Sequence, residues 1–271
     1  VGNILMTDLG PARYNKSMQI SNSPPLSETR QKMDRILQAK SLLVTTQTLD
    51  DVYTLLNQLS SDVLDLYPHI SCRSQCNNCC KGNSMPTVTA SEWEKVHYYL
   101  SRYYTEEQRQ DLIERTRAMY NPNKELFWAV HDTIQQPADM AKIEAFAQLL
   151  PKLASTQCPM LVNEKCSVYM SRPAKCRAHG SFLFVFGKYV QMHACEEEVD
   201  KLEVKLAEQG TRQVLMPVWN DFETRITQAY NTPDAIPTVL VIWLLTHIQD
   251  GQLIEDANLK PDFDAFRLKE I

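Results

Sequence analysis

The sequence predicts a mainly α-helical protein with a cysteine-rich loop core and a short β-hairpin. Three observations support this fold class: helix start signals recur along the chain, apolar residues follow them at helical spacing, and two blocks of cysteines interrupt the helical segments. No regular alternation of strand and helix patterns is visible in the sequence, so we do not expect a parallel sheet.

Helix starts are clearest where a threonine is followed three residues later by Asp, Glu or Gln, because these two side chains can cap the first turn. The pattern occurs at Thr48-x-x-Asp51, Thr89-x-x-Glu92 and Thr105-x-x-Gln108. After Thr48, apolar side chains recur at helical spacing from Val52 to Leu66, and the third helix is expected to reach about Tyr120.

The remaining elements are predicted from apolar patterns and from Gly and Pro. A helix from Met140 to Leu150 should end at Pro151, and Trp219 to Tyr230 place apolar residues on one helical face. The segment from Pro237 to Gly251 is apolar nearly all round, which is typical of a buried helix. Between Ser181 and Gln191, alternating aromatic residues surround a Gly-Lys pair, the pattern of a short β-hairpin.

The chain of 271 residues is long enough for one large domain. Residues 1–25 show no clear period and end in Ser-Pro-Pro, so we predict a flexible N-terminal arm there. Residues 26–271 are predicted to form a single helical domain, with the cysteine core at about 70–196.

Composition excludes some classes of function. The formal net charge of −5 and the pI of about 5.7 argue against nucleic-acid binding. No run reaches the roughly 18 apolar residues of a membrane span, and the N-terminus lacks the pattern of a signal peptide. We therefore expect a cytoplasmic or other reducing compartment, in which the thiols stay available to metal.

Eight cysteines carry the chemistry, in the blocks Cys72-x3-Cys76-x2-Cys79-Cys80 and Cys158-x7-Cys166-x9-Cys176-x18-Cys195. Gathered thiolates repel one another unless a cation neutralises them, and short spacers let one loop bring several sulfurs to one metal. A thiolate-rich site selects zinc, iron–sulfur or Cu(I). Disulfides, a metal-free redox pair and buried structural cysteines are the alternatives, of which the last does not explain the clustering.

The number of sites stays open at this point. Eight thiols exceed the four that one zinc ion or one cluster needs, so either two sites exist or some thiols are auxiliary. Adjacent side chains such as those of Cys79 and Cys80 are expected to point in different directions and not to share one ion. His179 and His193 lie near cysteines in the sequence and are alternative ligands.

These residues are similar to a known family. The first block, together with Cys158-Pro159-x-Leu161, Cys166-x-Val168-Tyr169-x-x-Arg172-Pro173-x-x-Cys176-Arg177 and a last Cys195, closely resembles the eight-cysteine family of zinc- or iron-chelating proteins. That family includes flagellin lysine N-methylases, which the resemblance suggests carry an iron–sulfur cluster. The resemblance covers about residues 70–196 and implies a metal more firmly than a reaction.

The resemblance implies a set of site residues. The implied metal ligands are drawn from Cys72, Cys76, Cys79, Cys80, Cys158, Cys166, Cys176 and Cys195. Tyr169, Arg172 and Arg177 are expected to surround the ligands and orient the loop, because outer hydrogen bonds tune such sites. Simple packing is the alternative role for Tyr169, with the neighbouring Pro173 setting a turn.

Three functions follow as hypotheses. The first is a protein that holds an iron–sulfur cluster, expected to be 4Fe-4S, with a redox or methyl-transfer role; whether the protein is an enzyme is left open. The second is a structural zinc module that presents a surface to a protein partner, and the third is metal storage or delivery. Cys72-x3-Cys76-x2-Cys79 also has the spacing of radical S-adenosylmethionine enzymes, but the barrel pattern those enzymes need is not visible.

Overall fold

The computed structural model describes residues 24–72, 76–82, 85–137, 139–154, 156–187, 189–211 and 213–270. The fold is mainly α-helical, as predicted, and its strands are short antiparallel pairs. The predicted arm lies outside the described residues except for Pro24 and Pro25, which begin the first helix. No helix in the described ranges is long and apolar enough to cross a membrane.

The helices and strands are numbered in chain order. The helices are α1 (Pro24–Leu37), α2 (Ala39–Val44), α3 (Leu49–Leu66), α4 (Ala90–Tyr103), α5 (Glu106–Tyr120), α6 (Lys124–Gln135), α7 (Met140–Leu153), α8 (Ala174–Ala178), α9 (Glu196–Glu208), α10 (Trp219–Arg225), α11 (Leu240–Thr246) and α12 (Phe263–Arg267). The strands are β1 (Thr87–Val88), β2 (Leu161–Val162), β3 (Lys165–Cys166), β4 (Leu183–Phe186), β5 (Tyr189–Met192), β6 (Thr238–Val239), β7 (Ile248–Gln249) and β8 (Gln252–Leu253).

Backbone packing divides the chain into two compact units. The first unit comprises the described residues of 1–74 and 177–226, and the second unit comprises those of 75–176 and 227–271. The prediction of a single domain over 26–271 stays a prediction.

The first unit contains the helix that the sequence predicts after Thr48. Thr48 Oγ accepts a hydrogen bond from Asp51 N at 3.1 Å, and the Asp51 carboxylate accepts from Thr48 N at 2.9 Å, so both ends of the capping box form. The predicted hairpin is also confirmed, as β4 and β5 pair in antiparallel register. The buried carboxylate of Asp62 accepts two hydrogen bonds from Arg35 at 2.7 Å, which stabilises the packing of α1 on α3.

The second unit has a core rich in aromatic residues. Trp93 of α4 stacks on Trp243 of α11 with ring centroids 6.1 Å apart, and both side chains are fully buried. Trp243 Nε1 donates a hydrogen bond to Val88 O at 2.9 Å. The capping boxes at Thr89 and Thr105 are confirmed, because each threonine Oγ accepts from the backbone three residues later.

Three predicted helix boundaries need correction. Helix α7 continues past Pro151 to Leu153, because a proline in the last turn interrupts few backbone hydrogen bonds. Helix α11 is shorter than the predicted Pro237–Gly251 segment: its flanks form β6, which pairs with β1, and a hairpin that turns at Gly251. Helix α10 ends at Arg225, and a π-helical turn continues the predicted face to Tyr230.

Candidate metal centre

The cysteines are divided unequally between the two units. Two of them, Cys72 and Cys195, lie in the first unit. The others lie in the second unit, and they are Cys76, Cys79, Cys80, Cys158, Cys166 and Cys176. All eight are in the thiol form. The unit boundary therefore cuts the first sequence block between its first two cysteines.

Cys79 and Cys80 lie side by side in a 3-10 turn over Asn78–Cys80. Cys80 N donates to Asn77 O at 2.8 Å, which closes the turn. The two sulfur atoms are 4.0 Å apart. The expectation that these side chains point in different directions is therefore wrong, because the tight turn keeps both sulfurs on one side, within reach of a single ion or cluster.

The second cysteine block meets this turn through a hairpin that was not predicted from the sequence. Cys158 N donates to Cys80 O at 2.7 Å, and the thiols of these two residues are also hydrogen-bonded. Cys166 ends the hairpin of β2 and β3, where it pairs with Leu161. The available signal was Asn163, because Asn tolerates the left-handed backbone of a two-residue hairpin turn, and its φ is 48°.

The core of the second unit fixes the segment that carries Cys176. Glu92 of α4 is buried, and its carboxylate accepts hydrogen bonds from Thr89 N at 3.0 Å and from Ala174 N at 2.7 Å. Cys176 N in turn donates to Pro173 O at 3.0 Å. From the sequence, Glu92 is recognisable only as a capping residue, since its second partner is 82 residues away along the chain.

Five cysteines of the second unit lie close enough to affect one another's pKa through charge or hydrogen bonds. We call them the thiol cluster: Cys79, Cys80, Cys158, Cys166 and Cys176. The hydrogen bond with Cys80 and burial raise the pKa of Cys79. The hydrogen bond with Cys158 and burial raise the pKa of Cys80 to about 12. Burial, and then the neighbouring thiols, raise the pKa of Cys176 well above its usual value.

The donor set fits a metal ion or cluster that binds sulfur. Burial and neighbouring sulfurs disfavour the thiolate forms of Cys79, Cys80 and Cys176, and a bound cation offsets both penalties at once. Two bonds of about 2.3 Å at a tetrahedral zinc ion span about 3.8 Å between their sulfurs. The 4.0 Å between the sulfurs of Cys79 and Cys80 is close to that separation.

The thiols do not yet enclose a common point. Among the described residues, no three side chains of His, Cys, Asp or Glu form a group that could hold a metal ion as they stand. A four-thiolate site therefore requires these side chains to rearrange, and such rearrangement accompanies metal binding when site formation is coupled to folding.

Arg172 brings a positive charge to the thiol cluster. Its guanidinium lies 4.0 Å above the centre of the Tyr169 ring. The same charge acts to lower the pKa of Cys79 and Cys176, opposing the effect of burial. Arg177 belongs to the first unit, where it donates to Asn57 Oδ1 at 3.1 Å. The roles predicted for Tyr169, Arg172 and Arg177 around a metal stay predictions.

The two cysteines of the first unit lie in a tightly packed region. Gly180 has a left-handed φ of +85°, and a Cβ on it would lie 2.3 Å from Cys72 Sγ, so only glycine fits beside this thiol. Gly180 N donates to His193 O at 2.6 Å, and the His193 ring lies 4.7 Å from that of His179. Cys195 is buried at the N-cap of α9. The predicted metal-binding roles of these residues stay predictions.

Comparison with known proteins places this constellation in a family. Residues 71–203, just under half of the chain, match the CxxCxxCC family, which is described as a "putative zinc- or iron-chelating domain". The match includes all eight cysteines. No curated protein and no solved structure is detectably similar to the chain. The resemblance seen in the sequence is confirmed: residues 71–203 match the model of the CxxCxxCC family of zinc- or iron-chelating domains.

Proposed function

We propose that the second unit binds an iron–sulfur cluster through thiolates of the thiol cluster, expected to be 4Fe-4S. One observation carries this proposal: thiols from separate stretches of the chain meet in one neighbourhood where burial and mutual contact raise the pKa of Cys79, Cys80 and Cys176. Iron–sulfur clusters are held by cysteine thiolates. The family supports metal binding as such, and the type of metal centre is our proposal.

The surrounding residues have definite tasks in such a centre. Cys158 and Cys166 pack against the apolar core of the second unit, which limits the access of water to their sulfurs. Arg172 favours the thiolate forms of Cys79 and Cys176. When bound, an iron–sulfur cluster supplies one-electron redox chemistry, so we propose a redox role in a reducing compartment. A methyl-transfer role rests on the family resemblance alone.

A structural zinc site is the second candidate. The observation that favours it is that sulfur ligands come from loops and a two-residue hairpin, segments in which a closed four-thiolate site would add stability. In that case the thiols of Cys72, Cys76 and Cys195 are auxiliary. The function would then be to present a surface to a protein partner.

Metal analysis of protein purified without oxygen tests both candidates. We expect a brown protein that contains iron and acid-labile sulfide in equal amounts, and Cys158→Ser should remove most of both. Ser167→Ala is the matched control, because it removes a 2.8 Å hydrogen bond to Met160 O in the same hairpin but no thiol. A colourless protein with stoichiometric zinc and no sulfide would overturn the cluster and establish the zinc site.

A further inference from the structure

The turn between β2 and β3 has an unusual backbone. Asn163 and Glu164 both have left-handed φ angles, 48° and 62°. Asn adopts this conformation more readily than most residues because its short polar side chain can hydrogen-bond locally, whereas the longer side chain of glutamate does not favour it. Something outside the turn therefore has to hold Glu164 in place.

The contacts of Glu164 supply that restraint. Asn77 Nδ2 donates to the Glu164 carboxylate at 2.5 Å and to Glu164 O at 3.1 Å. Lys81 Nζ forms an ion pair with the same carboxylate. The Glu164 carboxylate therefore joins both residues, and its contact with the Lys81 ammonium is a charge-assisted one.

These contacts join the two cysteine blocks. Asn77 and Lys81 immediately flank the 3-10 turn that carries Cys79 and Cys80. Glu164 stands at the tip of the hairpin that ends at Cys166. A backbone hydrogen bond already joins the blocks at the hairpin base, between Cys158 and Cys80.

We propose that Asn77, Lys81 and Glu164 form a positioning clamp, which holds the hairpin tip against the first cysteine block and so retains the metal. The inference rests on the proposed function of the thiol cluster. With the base alone tethered, the hairpin can swing and carry Cys166 away from Cys79 and Cys80. With the tip also tethered, the two segments that carry these thiols stay side by side while the thiols close around the metal.

The test is the rate at which metal passes from anaerobically loaded protein to a chelator. Glu164→Gly removes the carboxylate, but glycine still adopts the left-handed backbone of the turn. The variant therefore tests the side-chain contacts without disturbing the turn conformation. We expect metal release to be about 5- to 10-fold faster than in the parent protein. Asn163→Gly is the matched control at the neighbouring position of the turn, and it should release metal within about twofold of the parent rate.

The salt dependence of the rate of metal release is a second measurement, and it would not change if Lys81 and Glu164 only stabilised the fold. The Lys81 and Glu164 side chains are 44% and 68% exposed, so salt screens their attraction. Metal release from the parent protein should become faster as the ionic strength rises. Release from Lys81→Met should already be fast at low ionic strength and should depend less on salt. The secondary structure of metal-free variants, measured by circular dichroism, should match that of the parent.

The outcomes separate the two proposals. If the parent binds metal, Cys158→Ser loses it and Glu164→Gly releases it at the parental rate, the clamp is overturned while the proposed function stands. If the parent purifies without metal, or if Cys158→Ser retains it fully, the proposed function fails, and the clamp fails with it. Equal acceleration by Asn163→Gly and Glu164→Gly would assign the effect to the turn and overturn the clamp.

Discussion

Two buried polar regions of the second unit differ in where their partners come from. Around His247, the chain supplies every partner: Nε2 accepts from Trp93 Nε1 at 3.0 Å and from Asn258 N at 2.9 Å. The other ring nitrogen lies 2.8 Å from Trp243 O and donates to it. Burial lowers the pKa of His247 to about 4, so the neutral ring that fits these partners is the form present at neutral pH.

In the thiol cluster, by contrast, the partners are other thiols. Neighbouring sulfurs raise the pKa of Cys79, Cys80 and Cys176, and the positive charge of Arg172 opposes burial without reversing it. The histidine region is therefore complete within the chain, whereas we propose that a cation from outside completes the thiol cluster. Buried polar groups thus indicate a ligand when their neighbours are groups of the same kind, which cannot stabilise one another's charged form.

The largest expected effect concerns the histidine region, whose partners all come from the chain. Trp243→Ala removes a fully buried ring and its hydrogen bond to Val88 O, and should lower the free energy of unfolding by about 4 kcal/mol. Denaturant titration can follow the change, because Trp93 and Trp128 remain buried as fluorescent reporters. The loss should be the same with and without chelator. If Trp243→Ala lowered the free energy of unfolding only in metal-loaded protein, the histidine region would also depend on metal, and the difference between the two regions would be contradicted.

Acid should also act on the histidine region without metal. The folded-state pKa of His247 is depressed from 6.5 to about 4, so its contribution is fully present above pH 6.5 and is lost as the pH falls through 4. In metal-free protein we expect the free energy of unfolding to drop by about 3 kcal/mol across this window. His247→Gln should give a flatter pH profile, and an unchanged profile would contradict the assignment.

Metal removal tests the thiol cluster. A ligand present at about one hundred times its Kd stabilises the folded state by about 2.7 kcal/mol, so stripping the metal should lower the free energy of unfolding by that amount. Cys158→Ser should abolish the difference between loaded and stripped protein, and Ser167→Ala should preserve it. Equal stability of the loaded and stripped parent would show that the thiol cluster needs no cation.

The smallest expected effect concerns Glu92, which links α4 of the aromatic core to the segment of Cys176. Glu92→Gln leaves one acceptor oxygen for the backbone donors of Thr89 and Ala174, and should cost about 1 kcal/mol. Because Ala174 begins the helix that carries Cys176, metal release should also become faster. Glu94→Gln changes an exposed residue of the same helix and should alter neither measurement. Faster release from Glu94→Gln as well would point to net charge instead.

Local signals in the sequence were sufficient for the capped helices. Thr48, Thr89 and Thr105 each have their capping partner three residues away, so the chain itself displays the interaction. The ends of α11 could not be predicted in this way, because its preceding strand pairs Val239 with Thr87, far away along the chain. Apolar periodicity carries no information about such a partner.

The gathering of the thiols could be predicted from the sequence, but their division between the two units could not. Cysteine spacing indicates that thiols gather, and the family match supports that interpretation. Spacing does not show that Cys72 and Cys76, four residues apart, belong to different units, since packing of distant segments sets that boundary. The clamp could not be predicted for the same reason, because Lys81 and Glu164 are distant in sequence.

The backbone hydrogen bond between Cys158 and Cys80 has a consequence for the order of folding. The chain between these residues contains α4, α5, α6 and α7. A loop of that length is costly to close in an unfolded chain, and helices between the ends reduce the cost by folding first. During synthesis, this contact can form only after the second cysteine block has left the ribosome, and a metal centre that used thiols of both blocks would be completed after that step.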